Sequence, residues 1–338
     1  MRGAARYAWR AVRSRRLGRT GLSVSELGYG AWGIGASHWV GADDEESTRA
    51  LNEAISSGVT FIDTALGYGW GHSEQLIGKV LRSRSETVHV ATKIPPGNEK
   101  WPAEPGDPVA EMYSAAWIRE ATETSLRNLG TDHIDVQQFH TWTDDWVDQG
   151  DWAEAIAELK DAGKIRFFGV SIRNHDPSSV LKLIETGLID TVQVIYNIFD
   201  QSPEERLFPA AIEHDIGIIV RVPLDEGGLT GRIRPDTTFP EGDWRNHFFA
   251  GDRPRQVYER VQAITSDLDI PEDSIANVAL RFCLHHPAVS TVIAGMRTVA
   301  NVHRNVAAVD EGPLSDEQLA KLRAHNWDRG DFSATVAH

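Results

Sequence analysis

The chain has 338 residues, 41% hydrophobic and 25% charged, which is the composition of a globular chain with a sizeable core and excludes disordered and collagen-like classes. No apolar run approaches the ~20 residues needed to span a bilayer, and a lone cysteine, Cys283, excludes an intramolecular disulfide and a cysteine-built zinc site. The net charge of −15 argues against nucleic acid as a partner, so the expectation is a soluble protein of the reducing cytoplasm.

The first segment departs from the rest. Residues 1–19 carry seven arginines and no acid but lack the apolar core of a secretory signal, so residues 1–14 are expected to form a basic, disordered arm. Residues 15–25 then form a hairpin turning on Thr20-Gly21, placed to close the bottom of the main domain.

From residue 26 onward short β-branched or aromatic runs alternate with amphipathic stretches. The predicted strands are Leu27–Gly33, Thr60–Thr64, Val88–Lys93, Ile134–His140, Phe167–Ser171, Thr191–Tyr196, Ile218–Val222 and Ser290–Ile293. Predicted helices lie between them at Glu45–Ser57, Glu74–Arg82, Ala115–Leu129, Asp151–Ala162, Pro177–Glu185 and Glu204–His214. Pro254–Asp267 with Ile275–His285 comes after the seventh strand, and Val299–Val306 after the eighth. Eight strand–helix units without a linker imply one α/β domain over residues 15–338, a (β/α)8 TIM barrel with an N-terminal β-hairpin and a C-terminal helix. A doubly wound sheet is the alternative. Two insertions, Pro95–Tyr113 and Asp225–Arg253, interrupt the rhythm and are expected to be functional.

Active sites of such barrels lie at the C-terminal ends of the strands. The second predicted strand ends in Asp63 with Tyr68 beyond it, the third in Lys93 and the fourth in His140. Opposite charges ending adjacent apolar strands suggest a buried ion pair, and an adjacent ammonium is expected to lower the Tyr68 phenol and make it a usable proton donor. His140 is suited to hold a carbonyl oxygen. Trp32, Trp39, Trp70, Trp142 and Trp146 fall in the loops after the first, second and fourth strands, which predicts a ring of indoles at a substrate pocket. Gly28, Gly30 and Gly33 have G-x-G-x-x-G spacing but lie within a predicted strand, without the βαβ context of a dinucleotide fingerprint.

These segments together resemble the aldo-keto reductases. The resemblance covers about residues 15–326 and rests on LGRTGLSVSELGYGAWGIG, FIDTALGYGWGHSEQLIGKVL, ATK, QFH, FFGVS, VQVIYN and IAGMRTVANVHRN. It implies an oxidoreductase transferring a hydride between NAD(P)(H) and a carbonyl or alcohol substrate, an aldehyde, ketone or sugar. In that family pattern Asp63, Tyr68, Lys93 and His140 match the catalytic tetrad, with Tyr68 as general acid/base. Gly30 and Trp32 lie near the cofactor or substrate rim, and Ser171 and Gln193 match contacts to the nicotinamide carboxamide. Leu224, Gly228 and Leu229 resemble the loop over the pyrophosphate, where Asp225 and Glu226 would repel phosphate unless they point outward. Arg297, Asn301 and Asn305 match the adenosine-phosphate end.

Two departures stand out. Asn174, not the residue directly after Ser171, is left to serve the carboxamide, and Arg221 stands where many members place an aromatic ring. With Arg297 as the remaining strong cation, NADP(H) is favoured over NAD(H). No metal is expected, and a monomer is favoured. The reading from another class is a cofactor-binding regulatory or sensor subunit with little turnover.

Overall fold

The computed structural model describes residues 12–36 and 39–327. Two antiparallel strands, β1 (Ser14–Arg16) and β2 (Ser23–Ser25), flank a short 3-10 turn at Gly18–Thr20. Eight parallel strands come next: β3 (Leu27–Gly30), β4 (Phe61–Asp63), β5 (His89–Ile94), β6 (Ile134–Phe139), β7 (Ile165–Ser171), β8 (Thr191–Ile195), β9 (Gly217–Arg221) and β10 (Val289–Gly295). They close into a barrel through the β10–β3 seam, where Val292 pairs with Leu27 and Gly295 with Gly30. All eight predicted barrel strands are present, with shifted ends.

Helices connect successive staves: α1 (Asp44–Ser56), α2 (His72–Leu81), the single turn α3 (Val109–Met112), α4 (Ala115–Leu129), α5 (Trp152–Asp161), α6 (Leu181–Thr186) and α7 (Leu207–Glu213). After β9 come α8 (Arg245–Phe248), α9 (Arg253–Leu268) and α10 (Ile275–His285), and after β10 come α11 (Val299–Asp310) and the C-terminal α12 (Asp316–Arg323). Their starts are written in the sequence. Asp43, Ser114, Thr298 and Ser315 each accept a hydrogen bond from a first-turn backbone N–H, and Ser315 with Gln318 forms a full capping box. In α4 the buried Ile118, Ala121, Thr122, Ser125, Leu126 and Leu129 recur at three- and four-residue spacing, the stripe that seats the helix on the sheet.

The bottom of the barrel is plugged as expected. Leu17, Leu22 and Val24 of the hairpin form one apolar cluster with Phe61, Ala91, Val136, Ile219 and Ile293 of the barrel strands. Strand β1 begins at Ser14, inside the segment assigned to the basic arm, and residues 1–11 of that arm lie outside the described residues. Four arginines of the basic stretch have structural partners. Arg13 and Arg15 bind the buried Glu26, Arg15 also donates to the carbonyls of Leu284 and Val289, Arg16 pairs with Asp215, and Arg19 donates to His214 O.

Two boundaries differ for physical reasons. Strand β3 stops at Gly30, because its partner β4 ends at Asp63 opposite it, and Trp32–Ile34 turns into a 3-10 helix across the rim. Helix α7 starts only at Leu207, because Glu204, the expected first residue, instead closes a separate 3-10 turn at Ser202–Glu204 with Pro203 inside it.

Candidate active site

Parallel register brings the polar strand ends to one level: Gly30 pairs with Asp63, Lys93 with Gln138, and Ser171 with Gln193. Lys93 is fully buried and uses all three ammonium protons. Its Nζ lies 2.5 Å from Asp63 Oδ1, 2.8 Å from Thr64 O and 3.3 Å from the Tyr68 hydroxyl. The other Asp63 oxygen accepts from Gln193 Nε2 at 2.7 Å and Gln138 Nε2 at 3.2 Å. The carboxylate is thereby fixed between a cation and two amides, the condition under which a buried charge is tolerable.

Burial works against the Lys93 ammonium, yet the contact with Asp63 outweighs it and holds the group above the ordinary lysine range. The phenol departs from expectation. Burial raises Tyr68, and Lys93 offsets only part of that, so the hydroxyl sits above its ordinary value rather than below it. Tyr68 is therefore held as the protonated acid at neutral pH.

The loop bearing Tyr68 is tightly packed: a β-carbon on Gly35 would come within 2.9 Å of the Tyr68 backbone carbon. The His140 ring meets the Tyr68 ring edge-on at 5.6 Å, which brings all four predicted tetrad residues to one rim. The Trp32 ring lies 6.4 Å from that of Tyr68, and Trp39 and Trp244 each meet Trp32 edge-on, at 5.7 Å and 5.3 Å.

Other indoles lie elsewhere. Trp142 and Trp146 are fully buried against Phe139, Tyr113 and Trp152, and donate to Asp144 Oδ1 and Asp107 O, so they belong to the core under the loop and do not ring the pocket mouth. Trp70 is the opposite case, 61% exposed at the rim.

Two residues of this site escaped the sequence reading. Trp244 sits in the second insertion, where length but not residue identity drew notice. Gln138 bore the same signal as Gln193, a polar residue on an apolar strand, and its role is visible only once both amides meet Asp63.

The remaining predicted contacts spread along the rim. Arg221 Nη2 donates to Ile172 O at 3.0 Å and to Asn174 Oδ1 at 2.7 Å, so the two departures from the family pattern are joined to each other. Burial lowers the Arg221 guanidinium, and its Nε is buried with no partner. Ser171 is buried at the end of β7 and Gly30 sits half-buried at the β10–β3 seam.

Past β9 the backbone twists into positive φ at Val222, Asp225 and Glu226. Asp225 is fully buried under Gly228 and does not point outward as the loop reading required. Burial, followed by the charge of Asp225, pushes Glu226 up to about 8, so it is largely uncharged at neutral pH and its repulsion of phosphate is correspondingly weak. Leu224 and Leu229 pack in the same turn.

At the far end Arg297 precedes the Thr298 cap of α11 and donates to Val40 O, while Asn301 Oδ1 accepts from Arg304 and Asn305 Nδ2 lies 3.5 Å from Gly295 O. Among the described residues no three His, Cys, Asp or Glu side chains gather as a metal site, and no helix is long and apolar enough to cross a membrane.

A closed barrel carrying a buried lysine under a phenol at its C-terminal rim defines a barrel oxidoreductase acting on carbonyls and alcohols. The chain belongs to the aldo/keto reductase family, whose model matches residues 26–326. It is 32% identical over 285 residues to aldo-keto reductase YhdN of Bacillus subtilis (strain 168), covering 82% of this chain and 83% of the relative. Among solved structures it resembles aldo-keto reductase AKR11C1 from Bacillus halodurans in its holo form, with a TM-score of 0.73, 33% identity, and 93% of this chain and 96% of that one covered. It also resembles an aldo/keto reductase from Klebsiella pneumoniae in complex with NADP and acetate, with a TM-score of 0.69, 25% identity, and 96% and 99% covered. The protein is an enzyme with the family's general NAD(P)H-dependent carbonyl/alcohol oxidoreductase activity.

Proposed function

We propose that Tyr68 is the general acid/base of this reaction and that Asp63, Lys93 and His140 serve it. The observation that carries the proposal is the Lys93 ammonium shared between Asp63 Oδ1 and the Tyr68 hydroxyl. When bound, the nicotinamide supplies or accepts the hydride. Tyr68, kept protonated by its buried setting, gives its proton to the carbonyl oxygen, and Lys93 holds the resulting phenolate. Asp63 keeps Lys93 charged and in place, anchored by Gln138 and Gln193. His140, edge-on to the phenol, directs the carbonyl oxygen toward it. In the opposite direction Tyr68 takes the alcohol proton.

The residues present fit a nicotinamide dinucleotide. Arg221, its Nε buried without a partner, ends β9 opposite Ile195 and reaches Ile172 O just past Ser171, with Gln193 two residues back along β8. Its planar guanidinium suits a stacked or hydrogen-bonded aromatic amide, and Asn174 orients it. Leu224, Gly228 and the adjoining turn would cover the pyrophosphate. Arg297 with the start of α11, flanked by Asn301 and Asn305, would hold the adenosine end. The Klebsiella relative's NADP complex and the position of Arg297 together favour NADP(H) over NAD(H).

Trp32, Trp39 and Trp70 would wall the substrate pocket, whose substrate is a small carbonyl compound or sugar. We take the chain to act as a monomer in the cytoplasm, a reading supported by its single, buried cysteine. The decisive experiment is NADPH oxidation followed at 340 nm over aldehydes, ketones and sugars, with Tyr68→Phe beside the wild type. Reduction is expected to fall roughly 10²–10⁴-fold while NADPH still quenches tryptophan fluorescence; wild-type turnover in the variant would remove Tyr68 from the acid role.

A further inference from the structure

Along each barrel strand side chains point inward and outward in turn, and residues paired across neighbouring strands share a side. Asp63 on β4 and Gln193 on β8 stand on opposite staves, and their contact at 2.7 Å crosses the interior, so both point inward. Two places beyond Gln193 is Ile195, and Ile195 pairs with Arg221. Arg221 therefore points inward as well. The same count holds on other staves: Phe61, Ala91, Val136 and Ile219 share one apolar cluster, and two places after them come Asp63, Lys93, Gln138 and Arg221.

The position of this cation is fixed. Val222, directly after it, has φ of 55°, a costly conformation for a β-branched residue, and its carbonyl accepts from the buried Asn197 at 2.9 Å. The guanidinium donates to two uncharged oxygens, Ile172 O and Asn174 Oδ1. Of the carboxylates whose charge reaches it, Glu226 is pushed up to about 8 by burial, Asp63 is held by Lys93, and Asp200 is held by His175. Burial raises the Tyr68 phenol, and the charges that work against burial include those of Lys93 and Arg221. Arg221 thus brings to the rim a positive charge that is felt at Tyr68, and a guanidinium keeps that charge at any working pH.

Hydride transfer dictates where a nicotinamide must stand. Its reacting carbon has to reach the carbon of a carbonyl whose oxygen takes the Tyr68 proton, so the ring lies within the same field of Arg221. That ring carries a full positive charge when oxidised and none when reduced. We propose that Arg221 is a specificity-determining residue for the oxidation state of the cofactor: its cation disfavours the oxidised ring and leaves the reduced ring untouched. The enzyme then holds NADPH more tightly than NADP⁺ and sheds the oxidised product readily, which makes carbonyl reduction its working direction. This rests on the reading of the rim as a nicotinamide site.

The test is isothermal titration calorimetry of NADPH and NADP⁺, and of NADH and NAD⁺, with the wild type, Arg221→Lys and Arg221→Gln. The Kd of the oxidised form over that of the reduced form is expected to be about ten in the wild type, to persist in Arg221→Lys, and to fall toward one in Arg221→Gln. Equal weakening of both forms in Arg221→Gln means that the side chain only supports the loop after β7, and overturns the inference. So does a wild-type ratio at or below one, a measurement that needs no variant to fold. A wild type that binds neither form overturns the nicotinamide reading itself and the inference with it.

Discussion

At the residue scale, the site turns on one competition. A lysine at 3.3 Å from a phenol pulls its pKa down, and burial of the same phenol pushes it up; here burial prevails. The spacing of Asp63, Tyr68 and Lys93 made the ion pair legible in the sequence, because two charges closing apolar strands need each other. The direction of the phenol shift was not legible, since it depends on how much water the folded rim excludes. The pH dependence comes from that sign. Reduction uses the protonated phenol, so kcat/KM for reduction should stay level through neutrality and decline only above the ordinary tyrosine value of ~10. Oxidation uses the phenolate and should rise with pH over the same range. Paired pH profiles check this, and a reduction limb falling near pH 7 would mean another group supplies the proton.

At the element scale, the strands were legible because their β-branched runs and turn residues are local signals. Their ends moved where a partner decides: β3 cannot outlast β4, whatever the residues of AWG prefer. The same limit explains the tryptophans. Trp142 and Trp70 both come after strand ends, yet one is packed against Phe139 and the other is held out between two glycines. Only the loop path separates them. Arg221 and Asn174 show it again, since each is an isolated departure in the sequence until β9 and the loop after β7 place them 2.7 Å apart.

Two predictions belong to single elements. Arg297→Ala at the start of α11 should raise the KM for NADPH about tenfold and that for NADH far less, the loss expected when one charge-assisted phosphate contact goes. Equal changes in initial-rate kinetics would take Arg297 away from the 2′-phosphate. In the hairpin turn, Gly18 and Gly21 both have positive φ, 46° and 69°, but a β-carbon on Gly18 would stand 2.2 Å from Gly217 N whereas Gly21 faces open space. Gly21→Ala should cost about 1–2 kcal/mol from the backbone alone. Gly18→Ala should cost at least twice as much, because the added methyl drives the turn off β9; thermal unfolding of the two variants measures the difference.

At the scale of the whole molecule, eight repeated units were enough to announce a closed barrel, since right-handed crossovers leave few other ways to bury that many amphipathic helices. The arginine-rich start was the poorest guide. Its excess of one charge has the look of a tail, yet from Arg13 onward those charges are spent on Glu26, Asp215 and the carbonyls of Leu284 and Val289, partners up to 274 residues away that no local pattern discloses.

That reach also orders events in time. On the ribosome the hairpin and β3 emerge ahead of the other barrel staves, but β3 lacks its β10 neighbour, and Arg15 lacks two of its acceptors, until the end of α10 and β10 have followed. Until then the nascent chain carries an open strand edge and an apolar plug, the condition in which wrong pairing competes with folding. Final closure must be a late, long-range step, the kind that slows folding as sequence separation grows.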